Sequence, residues 1–403
     1  LNLLFFALVS LSAFAQITQW DVVAVSPECR AGIFCTREEV GPQMRQAGVS
    51  ERLVGMARRA HQSGGRLSLA FMSFNEPSLF KEICRLAIQG LQIDGYFDSK
   101  AGPPRGLGHR LQSECQGPGG KNVRMFYMGM ANPNRGSWRL HHNKFYLTES
   151  PGSPVELAFG SANLSNTGLS VNFENWNFIS AQARDPFVAD HLCSLRAMRL
   201  ARESGQSQDD PRVYRRELDG CLSEREISVA QVDRLMREQG AWVLFAPDRG
   251  DRIFKILRDQ IDRVVAGGRI RMASYLFLHQ PLAEALQRAQ ARGVRVQLLL
   301  DDDIVQGTAS APGQKRFYER FLKSSASGFE VRVFDTNEDI FQLQHNKFLL
   351  LEGVDQLNRV RLFTGAGQFT RAAFEENYEN FYLIETPQVV RQYSELFDLL
   401  WIR

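Results

Sequence analysis

The 403-residue chain has almost no excess charge: 48 Lys and Arg against 45 Asp and Glu leave +3. Charge alone therefore neither demands nor excludes a polyanionic partner. Long apolar runs are missing too. Past residue 15 no stretch approaches the roughly 20 residues of a membrane-spanning helix, so retained spans are not expected. The six cysteines match no zinc signature in their spacing, which argues against a structural zinc site. What the chain does have is bulk. At 44% hydrophobic it can bury the cores of two average domains or of one large double unit.

The opening run LNLLFFALVSLSAFA ends in Ala13-Phe14-Ala15, a small-x-small pattern, and polar QITQWD follows. Residues 1–15 are expected to be a signal peptide, and the mature protein to be exported to a periplasm or secreted. A buried helix or a membrane anchor is the blander reading. Export would place Cys29, Cys35, Cys84, Cys115, Cys193 and Cys221 in an oxidising compartment. Sequential pairing (Cys29–Cys35, Cys84–Cys115, Cys193–Cys221) is expected because short loops close most easily. Six reduced, buried thiols are the alternative.

The chain repeats itself. LHHNKFYLTE (140–149) and LQHNKFLLLE (343–352) place His142 and His345 203 positions apart. GGRLSLAFMSF (64–74) and GGRIRMASYLF (267–277) keep that offset, while FGSANLS against TGAGQFT and FENWNFI against YENFYLI run at 205. A near-constant offset over several blocks points to gene duplication. The expected organisation is residues 16–205 and 239–403 as two units, with a charged connector over 206–238. That connector contains Pro211 and a short helix near SVAQVDRLMREQG.

Each unit alternates β-rich apolar runs with helical patterns. RIRMASYLF, VRVQLLLDDD, FEVRVFD and HNKFLLLE read as strands; PLAEALQRAQARG, bounded by Pro281 and Gly293, and RFYERFLKSSASG read as helices. This order implies an α/β fold with mostly parallel mixed sheets flanked by helices. Gly/Pro-rich segments 100–122 and 303–315 occupy equivalent places and are expected to be long loops.

On a strand, residues two apart share a face, so His142 with Lys144, and His345 with Lys347, are expected to point together. An imidazole beside an ammonium is a poor structural choice, since each disfavours charge on the other. It suits a bound phosphodiester: lysine neutralises an oxygen, and histidine attacks phosphorus or transfers a proton. One such triplet carries little weight. Two, at a matched offset inside matched strands, carry much more.

Doubled His-x-Lys-x4-acidic, followed in the first copy by Gly-Ser-x-Asn, resembles the phospholipase D superfamily of phosphodiesterases, and the likeness runs over essentially the whole mature chain. The resemblance implies two pseudo-twofold-related units sharing one central active site, a covalent phosphohistidine intermediate, and no metal or other cofactor. It implies His142, Lys144, His345 and Lys347 as catalytic residues. Ser161, Asn163 and Gln368 fall at substrate-binding positions, and Glu174 and Glu379 at positions that fix the histidine tautomers. The motif aspartate is replaced by Glu149 and Glu352, at a position that the resemblance implies is structural. Ala366 and Gln368 stand where the second unit's Ser and Asn belong, so that half-site lacks a hydroxyl. The fuller first unit favours His142 as nucleophile and His345 as general acid/base, with a bell-shaped pH profile.

Fold does not fix substrate. For a phospholipase speak export and the 28 phenylalanines, with Trp138 and Leu107 placed to touch acyl chains. For a nuclease speak Arg105, His109, Arg110 and Lys121, with Lys315 and Arg316 in the second segment. Hydrolysis of phospholipid is the favoured reading, nucleic acid the alternative, and a catalytically silent binding module the third. Phosphatidyl transfer is disfavoured without membrane-spanning helices. A monomer is expected, with peripheral membrane contact left open.

Overall fold

The computed structural model describes residues 17–25, 48–101, 106–132, 137–204, 209–222, 228–248, 251–306, 312–324, 329–336 and 342–402. The signal-peptide reading, Cys29, Cys35 and Arg105 lie outside the described residues.

Two seven-stranded sheets dominate the described residues. The first contains β1 (Gln19–Val25), β2 (Arg66–Phe71), β3 (Gln92–Asp98), β4 (Val123–Met128), β5 (Lys144–Glu149), β6 (Val155–Gly160) and β7 (Glu174–Ala181). The second contains β8 (Ala241–Ala246), β9 (Val264–Ser274), β10 (Arg295–Asp301), β11 (Phe329–Phe334), β12 (Lys347–Val354), β13 (Arg359–Gly365) and β14 (Glu379–Ile384). Their orders are β1-β7-β6-β5-β2-β3-β4 and β8-β14-β13-β12-β9-β10-β11, the same path followed twice. Registers agree as well: Arg66 faces Glu149 in the first sheet, and Arg269 faces Glu352 in the second.

The sheets are mixed, but the expectation of mostly parallel pairing needs correction. In each sheet only two of six pairings are parallel, β2–β3 and β3–β4 in the first and β9–β10 and β10–β11 in the second. The rest are antiparallel. The cause is connection length. Helices carry the chain between the parallel strands, whereas β5 turns into β6 within a few residues, which permits only a hairpin.

Alternation along the motif strands divides the core. Phe145 and Leu147 share one cluster with Phe348 and Leu350, between the sheets. Helices Pro186–Ser204 and Pro387–Ile402 complete this middle layer through Phe187, Met198, Tyr393 and Phe397. Tyr146 faces out to helices Val49–Gln62 and Pro77–Ile88; Leu349 and Leu351 face out to Arg252–Asp262 and Gln280–Ala291. The shared central layer welds the two units face to face.

The connector holds two helices. Val229–Gln239 starts in a Ser228/Gln231 capping box and stops at left-handed Gly240, as its sequence suggests. The unexpected one is Pro211–Cys221. Pro211 opens it instead of breaking it, with Asp210 as N-cap, and Cys221 is bonded to Cys193. Cys84–Cys115 is formed as well, so both described pairs follow the sequential pattern. The 100–122 segment is not all loop either: it carries helix Arg110–Glu114, tied by Cys115 to helix Pro77–Ile88. Likewise Pro312–Ser324 begins inside the second segment. Among the described residues no helix is long and apolar enough to cross a membrane.

Candidate active site

Both histidines sit just before their strands, not on them: β5 begins at Lys144 and β12 at Lys347. The reason is that their backbone is engaged elsewhere. The His142 amide donates to Tyr378 O (2.8 Å) and Tyr378 N returns to Leu140 O (2.8 Å). In the other half, His345 N donates to Phe173 O (3.0 Å) and Phe173 N to Leu343 O (2.9 Å). Each histidine segment is thus bridged to the opposite unit, next to that unit's glutamate.

The side chains follow the same crossing. His142 Nδ1 lies 2.7 Å from Glu379 Oε2, and His345 Nδ1 lies 2.7 Å from Glu174 Oε1. Each imidazole therefore hydrogen-bonds to the carboxylate of the other unit. Asparagines repeat the theme: Asn380 Oδ1 accepts from the Lys144 amide (2.8 Å), and Asn175 Nδ2 donates to Asn346 Oδ1 (2.9 Å). Lys144 Nζ donates to His142 O (3.1 Å). Lys347 Nζ donates to His345 O (2.7 Å) and across to Ser161 O (3.2 Å), and lies 3.0 Å from His345 Nε2. One polar cluster between the sheets holds His142, both lysines and both glutamates buried, with His345 partly buried beside them.

Burial and crowded positive charge set the protonation. His142 is held well below its ordinary value, first by burial, then by Lys144 and Lys347. His345 is lowered to about 4 by burial, against the opposing pull of Glu174. Burial brings Lys144 down to about 8 and carries Lys347 well below its usual range. The glutamates differ. Burial lifts Glu379 to about 8, while the same burial at Glu174 is outweighed by His345, Lys347 and Ser161, leaving it below the usual carboxylate range. The donor sets explain this. Glu174 accepts from His345, Ser161 Oγ and Asn172 Nδ2, whereas Glu379 accepts from His142 and Asn377 Nδ2, and Ala366 offers no hydroxyl.

Ser161 therefore has a different use from the one its motif suggests. It is fully buried, its hydroxyl hydrogen goes to Glu174, and the Asn175 amide donates to its oxygen. Donation to a phosphate would first have to break the Glu174 bond. Asn163 Oδ1 is buried without a partner, and Gln368 Oε1 accepts from the Leu276 amide (3.2 Å), leaving its Nε2 to donate. Glu352 braces the sheet through Arg269 (2.8 Å). Leu107 packs against the N-terminal core, and nothing is described of the Trp138 side chain. Arg110 is paired with Glu114 (2.6 Å), while Lys121, Lys315 and Arg316 are exposed. Sequence reading missed the crossing of the pairs and two aspartates, Asp98 and Asp301, that hold the histidine segments.

A duplicated α/β sheet carrying paired His-Lys-Glu sets across an internal symmetry defines a class, and comparison with known proteins agrees. The family described as cardiolipin synthase, PLD-like domain matches residues 257–401. A phospholipase D of Rickettsia conorii is 26% identical over 175 residues, covering 43% of this chain and 76% of that protein. The mitochondrial cardiolipin hydrolase of Drosophila melanogaster is 25% identical over 157 residues, 36% of this chain; the match spans only 56% of the fly protein. Among solved structures, phosphatidylserine synthase of Haemophilus influenzae superposes with a TM-score of 0.58 at 13% identity, over 87% of this chain and 83% of that one. That likeness speaks to the fold alone. Together these likenesses support the phospholipase D superfamily, with the family match lying in the second unit.

Proposed function

We propose that the protein is an exported, metal-independent phosphodiesterase that hydrolyses phospholipid through a covalent phosphohistidine. The observation that carries this is the crossed pairing of His142 with Glu379 and His345 with Glu174 inside one polar cluster. A carboxylate on Nδ1 fixes the tautomer and leaves Nε2 of each ring for chemistry, that of His345 beside Lys347 Nζ at 3.0 Å. Lys144 and Lys347 offset the charge that protects a phosphodiester from attack.

The roles divide by environment. Burial, Lys144 and Lys347 hold His142 below its ordinary value, so its imidazole starts uncharged, keeps its proton on Nδ1 toward Glu379 and attacks phosphorus through Nε2. The P–O bond to the leaving alcohol breaks as the N–P bond forms. His345 faces the well-satisfied, anionic Glu174, which opposes the burial that lowers it to about 4, and the negative charge of a bound phosphodiester adds to that pull toward the imidazolium. It gives its proton to the leaving oxygen, then takes one from water as water displaces His142 from phosphorus. Ser161 serves this scheme by holding Glu174 charged.

The matched strand order supports a duplicated unit, with 16–205 and 239–403 as the halves and 206–238 between them. Two disulfides and the absence of a spanning helix among the described residues are consistent with export. The lipid reading leans on the relatives named for phospholipase D and cardiolipin hydrolase activity.

The test is to offer phosphatidylcholine, phosphatidylethanolamine, single-stranded DNA and RNA in parallel to purified protein in EDTA. Headgroup release is expected; shortened oligonucleotides would move the substrate to nucleic acid, and no turnover of any of them would leave a silent module. His142→Ala should abolish acid-quenched labelling by substrate phosphate and lower turnover by about 10³-fold or more. Labelling that survives His142→Ala but disappears with His345→Ala reverses the two roles.

A further inference from the structure

Asp98 closes β3 and Asp301 closes β10, at positions 203 apart, the same offset as the two histidines. Both are buried, at 1% and 0% exposure. Asp98 Oδ2 accepts the His141 amide at 2.7 Å, and Asp301 Oδ2 accepts the Gln344 amide at 2.8 Å. Those amides belong to the residues directly before His142 and His345. The very next N–H groups, on His142 and His345 themselves, donate to Tyr378 O and Phe173 O of the opposite unit. Consecutive amides of an extended segment point to opposite sides. Each histidine segment is therefore gripped on one edge by an aspartate of its own sheet and on the other by the backbone of the other unit.

A carboxyl is a costly choice for this place. Burial pushes both groups up, Asp301 to about 8. Asp98 Oδ1 also accepts the Lys100 amide (2.8 Å), but that local turn does not account for an acid in both halves aimed at the same upstream amide. Alignment does: an imidazole displaced by about 1 Å loses roughly a hundredfold in rate.

We propose that Asp98 and Asp301 are positioning residues that set the placement of the His142 and His345 imidazoles, each acting through the backbone amide immediately upstream of its histidine. This rests on the reading of His142 as nucleophile and His345 as acid/base. Neither aspartate is assigned contact with substrate.

The experiment uses the full chain and bis(p-nitrophenyl) phosphate, whose leaving group needs little protonation. Stopped-flow release of nitrophenolate separates the first, attacking turnover from the steady state. Asp98→Ala is expected to slow the burst about a hundredfold with KM changed less than about threefold. Asp301→Ala should leave the burst within about threefold of wild type and slow the steady state by about thirtyfold or more. Asp98→Asn and Asp301→Asn keep an oxygen for the amide and should each recover at least about threefold of the alanine loss. If either alanine variant does not fold, the matching asparagine variant decides. Its affected rate, burst for Asp98 and steady state for Asp301, should still fall by more than about threefold at unchanged KM, and wild-type rates would overturn the proposal. Equal loss of burst and steady state in both alanine variants, or loss carried in KM, would also overturn it. Absence of a burst in the wild type would instead count against the covalent mechanism; the alanine-to-asparagine recovery in kcat would then still decide positioning.

Discussion

The two units lay down the same strands in the same order yet are held together by different means. Both described disulfides, Cys84–Cys115 and Cys193–Cys221, lie upstream of the second sheet. The second sheet has arginines inside. Arg361 on β13, with no side-chain exposure, donates to Asp233 (2.7 Å), Glu385 (2.8 Å) and Gln260. Arg271 on β9 reaches Asp398 (2.8 Å), Ser394 and Glu352. At the matched positions of the first sheet stand Glu156 and Ser68. Where the halves meet, the contrast narrows to one hydroxyl: Ser161 on one side, Ala366 on the other. Two sheets of the same order supply two similarly placed imidazoles, and in the proposed scheme the small differences in their surroundings separate nucleophile from proton donor.

The sharpest way to break this comparison is through the glutamates, since the crossing assigns each to the other unit's histidine. Glu379→Gln should behave like loss of His142, with phosphate labelling gone and turnover down about 10²–10⁴-fold, as expected when a wrong tautomer is imposed. Glu174→Gln should behave like loss of His345, with labelling kept but release slow. Were Glu174→Gln the variant that lost labelling, either His345 would be the nucleophile or each glutamate would be serving its own unit's histidine, and labelling of His345→Ala would tell the two apart.

Structural reinforcement comes next in size. Asp233→Ala takes one of two carboxylate partners from the buried Arg361, leaving Glu385, and is expected to cost about 1.5–3 kcal/mol in urea unfolding at neutral pH. Burial alone would raise the Asp233 carboxyl, but Arg263 and Arg361 hold it well below the usual range. Its contribution is therefore present above the unfolded value near pH 4 (about 3.9) and is lost as pH falls toward the folded one. The gap between wild type and variant should shrink accordingly in acid. Reduction of the disulfides, which close separations of 31 and 28 residues, should cost about 3–4 kcal/mol each at most. Hydrogen exchange should place that loss in the first unit and the connector, and the Asp233→Ala loss in the second sheet. The same protection pattern from both treatments would mean that the units do not differ in this way.

How much of this could be read from the residues alone follows from what periodicity encodes. β2, β5, β9 and β12 are legible because apolar alternation records burial on a sheet. The His-Lys pairs are legible because they recur. Cysteine order was enough for both described disulfides, since their loops are short. The crossing of Glu174 to His345 and Glu379 to His142 leaves no local trace, because it depends on how two surfaces meet. The histidines were expected on their strands, yet bonds from Tyr378 and Phe173, distant in sequence, pull them off the ladder. Nothing local in the sequence sets Asp98 and Asp301 apart from other acids; only their matched offset flags them. The share of parallel pairing was overestimated because βαβ rhythm in the first half of each unit was extended to hairpins in the second.

The smallest expected effect is the most specific to the asymmetry. Ala366→Ser restores the hydroxyl that Ser161 supplies in the other half. The new donor should bond Glu379, as Ser161 bonds Glu174, and stabilise its charged form. A more anionic Glu379 favours the His142 imidazolium, so the neutral nucleophile would need a higher pH. The acid limb of kcat/KM should therefore move upward, by roughly half a pH unit to one unit, the size expected for one added hydrogen bond to a charged group. The plateau rate should change by less than about threefold, because alignment of the ring is untouched. A shift of the basic limb instead would mean that Glu379 acts on the proton donor, and His142 and His345 would exchange places in the scheme.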